Sequence, residues 1–159
     1  MKKSEELIKN FYFSFAKKDY QSMQKCYHEN ALFSDPVFVH LERREINAMW
    51  HMLCEAGKDL MIEYSGIGAY DNSVRATWKA IYTFGKTGRI VHNIIQSSFV
   101  LKDDLIISHT DQFDFWKWSK MAFGTNGALM GWSDFFKEKV RGEATRQLNK
   151  FIEKHPQYK

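Results

Sequence analysis

Proline, cysteine and long apolar runs are scarce in this chain of 159 residues, which holds 2 Pro, 2 Cys and 9 Gly. So few Pro and Gly leave no composition-biased linker, and a single compact domain is expected. The cysteines, Cys26 and Cys54, lack Cys-x-x-Cys spacing. That excludes a disulfide framework, and both read as reduced thiols buried in helices. No stretch approaches the ~18 consecutive apolar residues of a membrane span. Met1-Lys2-Lys3 leads into Ser4-Glu5-Glu6 and not into the apolar run of a signal peptide, so a cytoplasmic location is expected. An excess of one charge is missing too: 23 Lys and Arg face 19 Asp and Glu, a formal net charge of +4. The basic residues are scattered among acids, a solvated surface in place of the basic stripe of a nucleic-acid binder. Gly85-Lys86-Thr87-Gly88 falls in a hairpin and not before a helix, so it is no phosphate loop, and no Gly-x-Ser-x-Gly elbow is present.

Aromatic residues are plentiful: 13 Phe, 7 Tyr and 5 Trp, more than a disordered chain carries. At this length roughly 70% of the unfolded surface is buried on folding, so the core needs neither disulfide nor metal.

Periodicity sets the order of elements. Ser4, Glu5 and Glu6 open a helix whose apolar face is Leu7, Ile8, Phe11, Tyr12 and Phe15. Asp19 caps a shorter helix bearing Tyr20, Met23, Cys26 and Tyr27. A strand from Ala31 to Ser34 reaches Asp35-Pro36, where proline holds the preceding residue extended. A third helix covers Arg44 to Ala56 and stops at Gly57. The period then changes to two, in runs 60–70, 74–84, 89–101 and 105–115 joined by short turns, an antiparallel meander. Gly66 and Gly68 mark a bend or bulge in the first run. A last helix runs from Ser133 to Glu153 with the stripe Phe136, Val140, Ala144, Leu148, Phe151 and Ile152. The fold class is α+β, a cone in which a curved antiparallel sheet packs on the N-terminal helices over a pocket. Residues 1–115 form this unit and 116–159 a helical extension of it.

Two segments carry a family likeness: Cys26-Tyr27-His28-Glu29-Asn30-Ala31-Leu32-Phe33-Ser34-Asp35-Pro36-Val37, and His109-Thr110-Asp111-Gln112-Phe113-Asp114. From about Leu7 to Asp114 the chain resembles the nuclear transport factor 2-like (cystatin-like) superfamily, in its SnoaL-like and ketosteroid isomerase-like branch. The resemblance implies a cone with a small-molecule pocket. It matches Asp35 to the isomerases' general base and Asp111 to the last-strand aspartate of the cyclases and epoxide hydrolases. The isomerases' oxyanion tyrosine falls at Phe11, beside Tyr12, and their oxyanion acid falls near Gln96 to Ser98, none of which is acidic.

Weighed on their own chemistry, Asp35, His109 and Asp111 are the catalytic candidates, because a carboxylate in an apolar pocket with a hydrogen-bonding neighbour is tuned toward neutrality. In this reading Asp111 shuttles a proton, His109 orients it and Asp35 is the second acid–base group. The competing readings are a turn-initiating Asp35 and a structurally satisfied Asp111. If the last hairpin closes at Lys102-Asp103, His109 faces Gln96 and Asp111 faces Ile94. His92, Gln96 and Ser98 then share the pocket face with them, and a turn one residue longer flips that parity. Tyr12, Phe15, Trp50 and Trp78 complete the candidate ligand-binding set, which suits a small apolar carbonyl compound. His28, His40, His51 and His155 read as surface or helix-end groups. His92, His109 and Asp111 lack metal-ligand spacing, so no metal or other cofactor is expected. The convex face, with Ile95, Phe99 and Ile106, or the final helix is expected to form a homodimer. Two other functions stay open: a non-catalytic ligand-binding module, and a scaffold that recruits a partner through the C-terminal helix.

Overall fold

A computed structural model describes residues 2–159. Three helices come first, with two short strands among them: α1 (Lys3–Ala16), α2 (Tyr20–Gln24), β1 (Tyr27–Ser34), β2 (Leu41–Glu42) and α3 (Arg43–Ala56). The meander follows as β3 (Met61–Tyr70), β4 (Ser73–Phe84), β5 (Arg89–Lys102) and β6 (Leu105–Gln112). The chain ends in α4 (Phe115–Phe123), α5 (Thr125–Met130), α6 (Asp134–Lys154) and a 3₁₀ turn at Pro156–Tyr158. The α+β class is as expected, in a curved, unclosed six-stranded sheet ordered β2-β1-β6-β5-β4-β3. β1 runs parallel to β6, so the strand that ends at Asp35 lies against the strand carrying His109 and Asp111. No helix among the described residues is long and apolar enough to cross a membrane.

Local chemistry accounts for the boundaries, with some corrections. Ser4 lies inside α1, whose N-cap is Lys2 and makes no side-chain cap bond. Asp19 caps α2 by accepting from the Ser22 N–H. That helix stops at Gln24, and Tyr27 opens β1 several residues before the expected Ala31. In α3 Glu42 and Glu45 form a reciprocal capping box. β3 bulges between Ser65 and Gly68, with Gly66 at φ 63°, where a side chain would be strained. The segment after Phe115 folds into α4 and α5, helices missing from the sequence reading because neither is long enough to show a period.

The core fills the space between α1, α3 and the concave face of the sheet. Phe11, Tyr12, Phe15, Tyr27, Phe33, Trp50 and Phe99 are each at most 2% exposed. Burial of each such ring contributes roughly 1.5–3 kcal/mol. A second cluster of Val91, Phe115, Trp118, Ala122 and Phe136 covers the open end of the cone. Val37, Tyr82 and Phe113 touch both clusters. Hydrogen bonds hold the extension there: Trp118 Nε1 donates to the Tyr82 hydroxyl at 2.9 Å, and Arg141 Nε to the Pro36 carbonyl at 2.9 Å. At the α4–α5 corner, Gly127 packs so closely on the Ser119 carbonyl that a Cβ there would sit 1.9 Å from the oxygen.

Candidate active site

The hairpin of β5 and β6 decides which side chains enter the cone. Its turn is Asp103-Asp104, both with positive φ (53° and 61°), and Lys102 pairs with Leu105. A bulge follows: Leu101 pairs with Ile106 but Val100 with Ser108. The extra residue reverses the parity of β5 against β6. Asp111 therefore faces Ser97 and His109 faces Phe99, in place of the expected Ile94 and Gln96. The correction moves a set of candidates. His92 and Gln96 are exposed on the convex face, where Gln96 Oε1 accepts from Thr77 Oγ1, and Ser98 stands half-buried with the same parity. Ile95, Phe99 and Ile106, assigned to the convex face, are instead in the core. With His92 on the face opposite to His109, the two cannot share a metal ion with Asp111.

Inside the cone, a polar network crosses the aromatic core. Ser97 Oγ accepts from the Tyr12 hydroxyl at 2.8 Å and from Trp78 Nε1 at 3.0 Å, and donates to Asp111 Oδ1 at 2.5 Å. His109 Nε2 lies 2.8 Å from the same Oδ1. His109 Nδ1 is 2.7 Å from the Tyr27 hydroxyl, which accepts from Trp50 Nε1 at 3.0 Å. A consistent proton assignment follows. Trp50 donates to Tyr27, Tyr27 to Nδ1, and the Nε2–H of a neutral imidazole to Asp111. His109 and Asp111 are 1% and 3% exposed. Burial raises the pKa of Tyr12 and Tyr27, and the nearby Asp111 charge adds to both shifts. Phe15 completes the wall, its ring 5.0 Å from Trp50 and 5.4 Å from Trp78. Of the expected ligand-binding set, Tyr12, Phe15, Trp50 and Trp78 converge here as packed rings.

Asp35 differs from Asp111 in almost every respect. It is half-buried at the rim, between Phe33 of the core and the extension. Its Oδ1 accepts from the backbone N–H groups of Val37 at 2.7 Å and Phe38 at 2.6 Å, and among the described residues none hydrogen-bonds Oδ2. Burial pushes its carboxyl up to about 7, the Asp111 charge adds to the rise, and the Phe38 and Val37 N–H groups and Arg141 oppose it. The Tyr82 hydroxyl stands close enough for Asp35 to help raise its pKa, after the larger effect of burial. Ser97, Tyr27, Tyr82 and Arg141 were not among the sequence candidates. Ser97 needed the correct parity, and the other three come from outside the two motif segments or from an element read as helix. A groove of about 830 Å³ opens elsewhere, between α2, β1 and α3, lined by Gln24, Glu29, Arg43, Asn47 and Tyr158. Neither Asp35, His109 nor Asp111 lines it.

Two outcomes follow from this geometry. Ser97→Ala strands two buried donors, Tyr12 and Trp78, and should lower stability by about 1–3 kcal/mol for each, read by urea denaturation. A carboxyl whose folded pKa lies above its unfolded value of ~3.9 keeps its proton longer in the native state. The stability contributed by Asp35 is therefore complete below ~3.9 and lost as pH rises through about 7. Asp35→Asn keeps an oxygen for Val37 and Phe38 but cannot ionise. Its Tm should exceed wild type above neutrality and converge with it on acidification; the opposite trend would contradict the assignment.

Comparison with known proteins fits this architecture. No curated protein matches the chain by sequence. Among solved structures, an NTF2-like protein of unknown function from Burkholderia pseudomallei superposes with a TM-score of 0.68, 10% identity, and coverage of 77% of this chain and 99% of that one. TerC, co-crystallised with polyporic acid, gives 0.66 at 13% identity over 76% and 98%. An LEH-like epoxide hydrolase of M. tuberculosis gives 0.63 at 15% identity over 80% and 94%. At these identities the likeness is one of fold. Residues 8–109 match the SnoaL-like domain, which is more than half of the chain, and the protein belongs to that family within the nuclear transport factor 2-like superfamily.

Proposed function

We propose that the protein is a cofactor-free acid–base catalyst that moves a proton next to the carbonyl of a small, mostly apolar compound, as an isomerase, cyclase or dehydratase does. The observation that carries this reading is Asp35: one oxygen fixed by two backbone donors, the other unbonded, and a pKa of about 7. A base is most effective when its pKa lies near the working pH. Asp35, and not Asp111, takes the proton, and the Tyr82 hydroxyl donates to the oxygen on which charge develops. Burial keeps the Asp35 pKa high, and the Asp111 charge, held in the interior by Ser97 and His109, adds a smaller part. Cys26 and Cys54 are free and buried, which suits a reducing compartment such as the cytoplasm.

A second reading has its own support. Phe11, Tyr12, Phe15, Phe33, Trp50 and Phe99 fill the interior around His109, which favours a module of this fold that binds or dimerises without chemistry. The two readings part in one measurement. In heavy water, wild-type protein should catalyse exchange of the protons beside the carbonyl of small aryl ketones, followed by proton NMR, at a rate rising through about pH 7. Asp35→Asn should slow the exchange by about 10²–10⁴-fold, and Tyr82→Phe by a smaller factor. Ketones that bind without exchanging would support the binding module and remove the catalytic one.

The proposed homodimer now rests on different residues. Ile90 and Ile94 on β5 are 63% and 53% exposed, as Trp132 and Phe135 at the α5–α6 corner are 72% and 73% exposed. Sedimentation should give the mass of a dimer, and Ile94→Lys should return a monomer if the convex face is the contact. A wild-type monomer at micromolar concentration would end the proposal.

A further inference from the structure

Away from the acid–base site, three ligand-type side chains meet where the C-terminal end of α6 reaches α3. His51 is buried at 6% exposure, Glu55 follows it by one helical turn, and His155 is the C-cap of α6. His51 Nε2 lies 3.1 Å from Glu55 Oε2, and one ligand atom from each of the three residues lies within 4.8 Å of the others. His155 is the helix-end group expected, whereas His51, like His28 at 8% exposure, is buried and not at the surface or a helix end. The proximity of the three ligand groups was invisible in sequence because a hundred or more positions separate His155 from His51 and Glu55.

The hydrogen bonds around the rings orient them as metal ligands are oriented. His155 Nδ1 is 2.7 Å from the Phe151 carbonyl, which only accepts. Nδ1 therefore carries the proton, and the lone pair of the neutral ring is on Nε2. His51 Nδ1 is 2.9 Å from the Tyr158 hydroxyl, which is itself held by Gln24 Nε2 at 2.9 Å. The Tyr158 hydroxyl donates to Nδ1 or accepts from it according to the tautomer, and Nε2 is the atom that faces Glu55 Oε2 at 3.1 Å, a hydrogen-bond contact that a bound metal would replace. Second partners of this kind fix the tautomer and the ring plane of histidine ligands. Stacking completes the restraint: Tyr20 lies 3.8 Å from the His51 ring and Phe151 3.8 Å from His155, with the two imidazoles 5.0 Å apart.

We propose that His51, Glu55 and His155 form a binding site for a divalent transition-metal ion of the zinc class, which clips the C-terminal segment to α3. Two imidazoles and one carboxylate are a donor set that such ions favour, with a fourth position left for water. Metal–donor distances near 2.0–2.2 Å put the donors of a tetrahedral site roughly 3.4 Å apart. The His51–Glu55 pair already has that spacing. The remaining closure of at most about 1.4 Å is within reach of the exposed Glu55 side chain and of His155, which sits in extended backbone between α6 and the final turn. The site shares no residue with the proposed acid–base machinery, so each proposal stands or falls alone.

The test uses the full chain, freed of metal by chelator, with Zn²⁺ or Co²⁺ as the probe. Zn²⁺ at a hundredfold excess over its Kd should raise Tm by roughly 5–10 °C, and bound Co²⁺ should show the visible bands of a four-coordinate ion. Glu55→Gln and His155→Gln should each keep the metal-free Tm close to wild type while losing most of the Zn²⁺ shift and the Co²⁺ bands. Absence of both signals in the wild-type protein overturns the proposal. A Zn²⁺ shift that persists undiminished in both variants overturns it as well, because the ion then binds elsewhere.

Discussion

One oxygen, Oδ1 of Asp111, joins the two halves of the interior. Through Ser97 it reaches Tyr12 on α1 and Trp78 on β4, and through His109 it reaches Tyr27 on β1 and Trp50 on α3. Taking a carboxylate out of water costs several kcal/mol even after relaxation, and only close, well-aimed donors offset that. The donors here come from two helices and four strands, so they are in place only when the cone has closed. A partly assembled network is worse than an apolar core, because each stranded group carries its full desolvation cost. The network therefore selects one packing of the helices on the sheet, while the rings around it supply most of the burial.

The same carboxylate also bears on the rim, as a smaller contribution beside burial to the raised pKa of Asp35. Asp35 lies at the end of β1, and β1 runs beside β6, so the two acids belong to neighbouring strands. Their environments separate their roles. Asp111 is closed in by hydrogen bonds, and Asp35 is only partly compensated and carries a pKa of about 7. Burial is the largest cause of the raised Asp35 pKa, and the Asp111 charge adds a smaller part that the Phe38 and Val37 N–H groups oppose.

How much of this was legible in the sequence depended on whether a feature was local. Asp35 before Pro36, the Asp19 cap, the alternation of four strands and the Gly66 bulge are written in neighbouring residues, and the α+β cone followed from them. The parity of β5 was not legible. It turns on one extra residue near Ile107, and a bulge has no compositional mark in an alternating strand. That single residue sent His92, Gln96 and Ser98 to the other parity and brought Ser97 inward. α4 and α5 were hidden for another reason: helices of 9 and 6 residues are too short to show a period, and packing forms them, α4 against β5 and the Tyr82 hydroxyl and α5 against α4. The meeting of His51 with His155 is purely tertiary, set by where α6 ends.

The filling of the cone also limits where a small molecule can act. A ring removed from an interior as dense as this one leaves a hole that costs about 24 cal/mol for every Å³ it retains, so rings do not stand aside at little cost to admit a ligand. The rim is held differently. Arg141 to Pro36 and Trp118 to Tyr82 are single hydrogen bonds between elements, and the apolar contacts there belong to the smaller cluster around Phe115, Trp118 and Phe136. Shifting the start of α6 exchanges the Arg141 bond for water, worth about 0.5–1.5 kcal/mol net, and exposes Phe136, while Leu148 and Ile152 keep the rest of the helix on the main core. In the acid–base reading proposed above, a substrate reaches Asp35 and Tyr82 from the side of the extension, while the interior rings and the network at Asp111 keep their places.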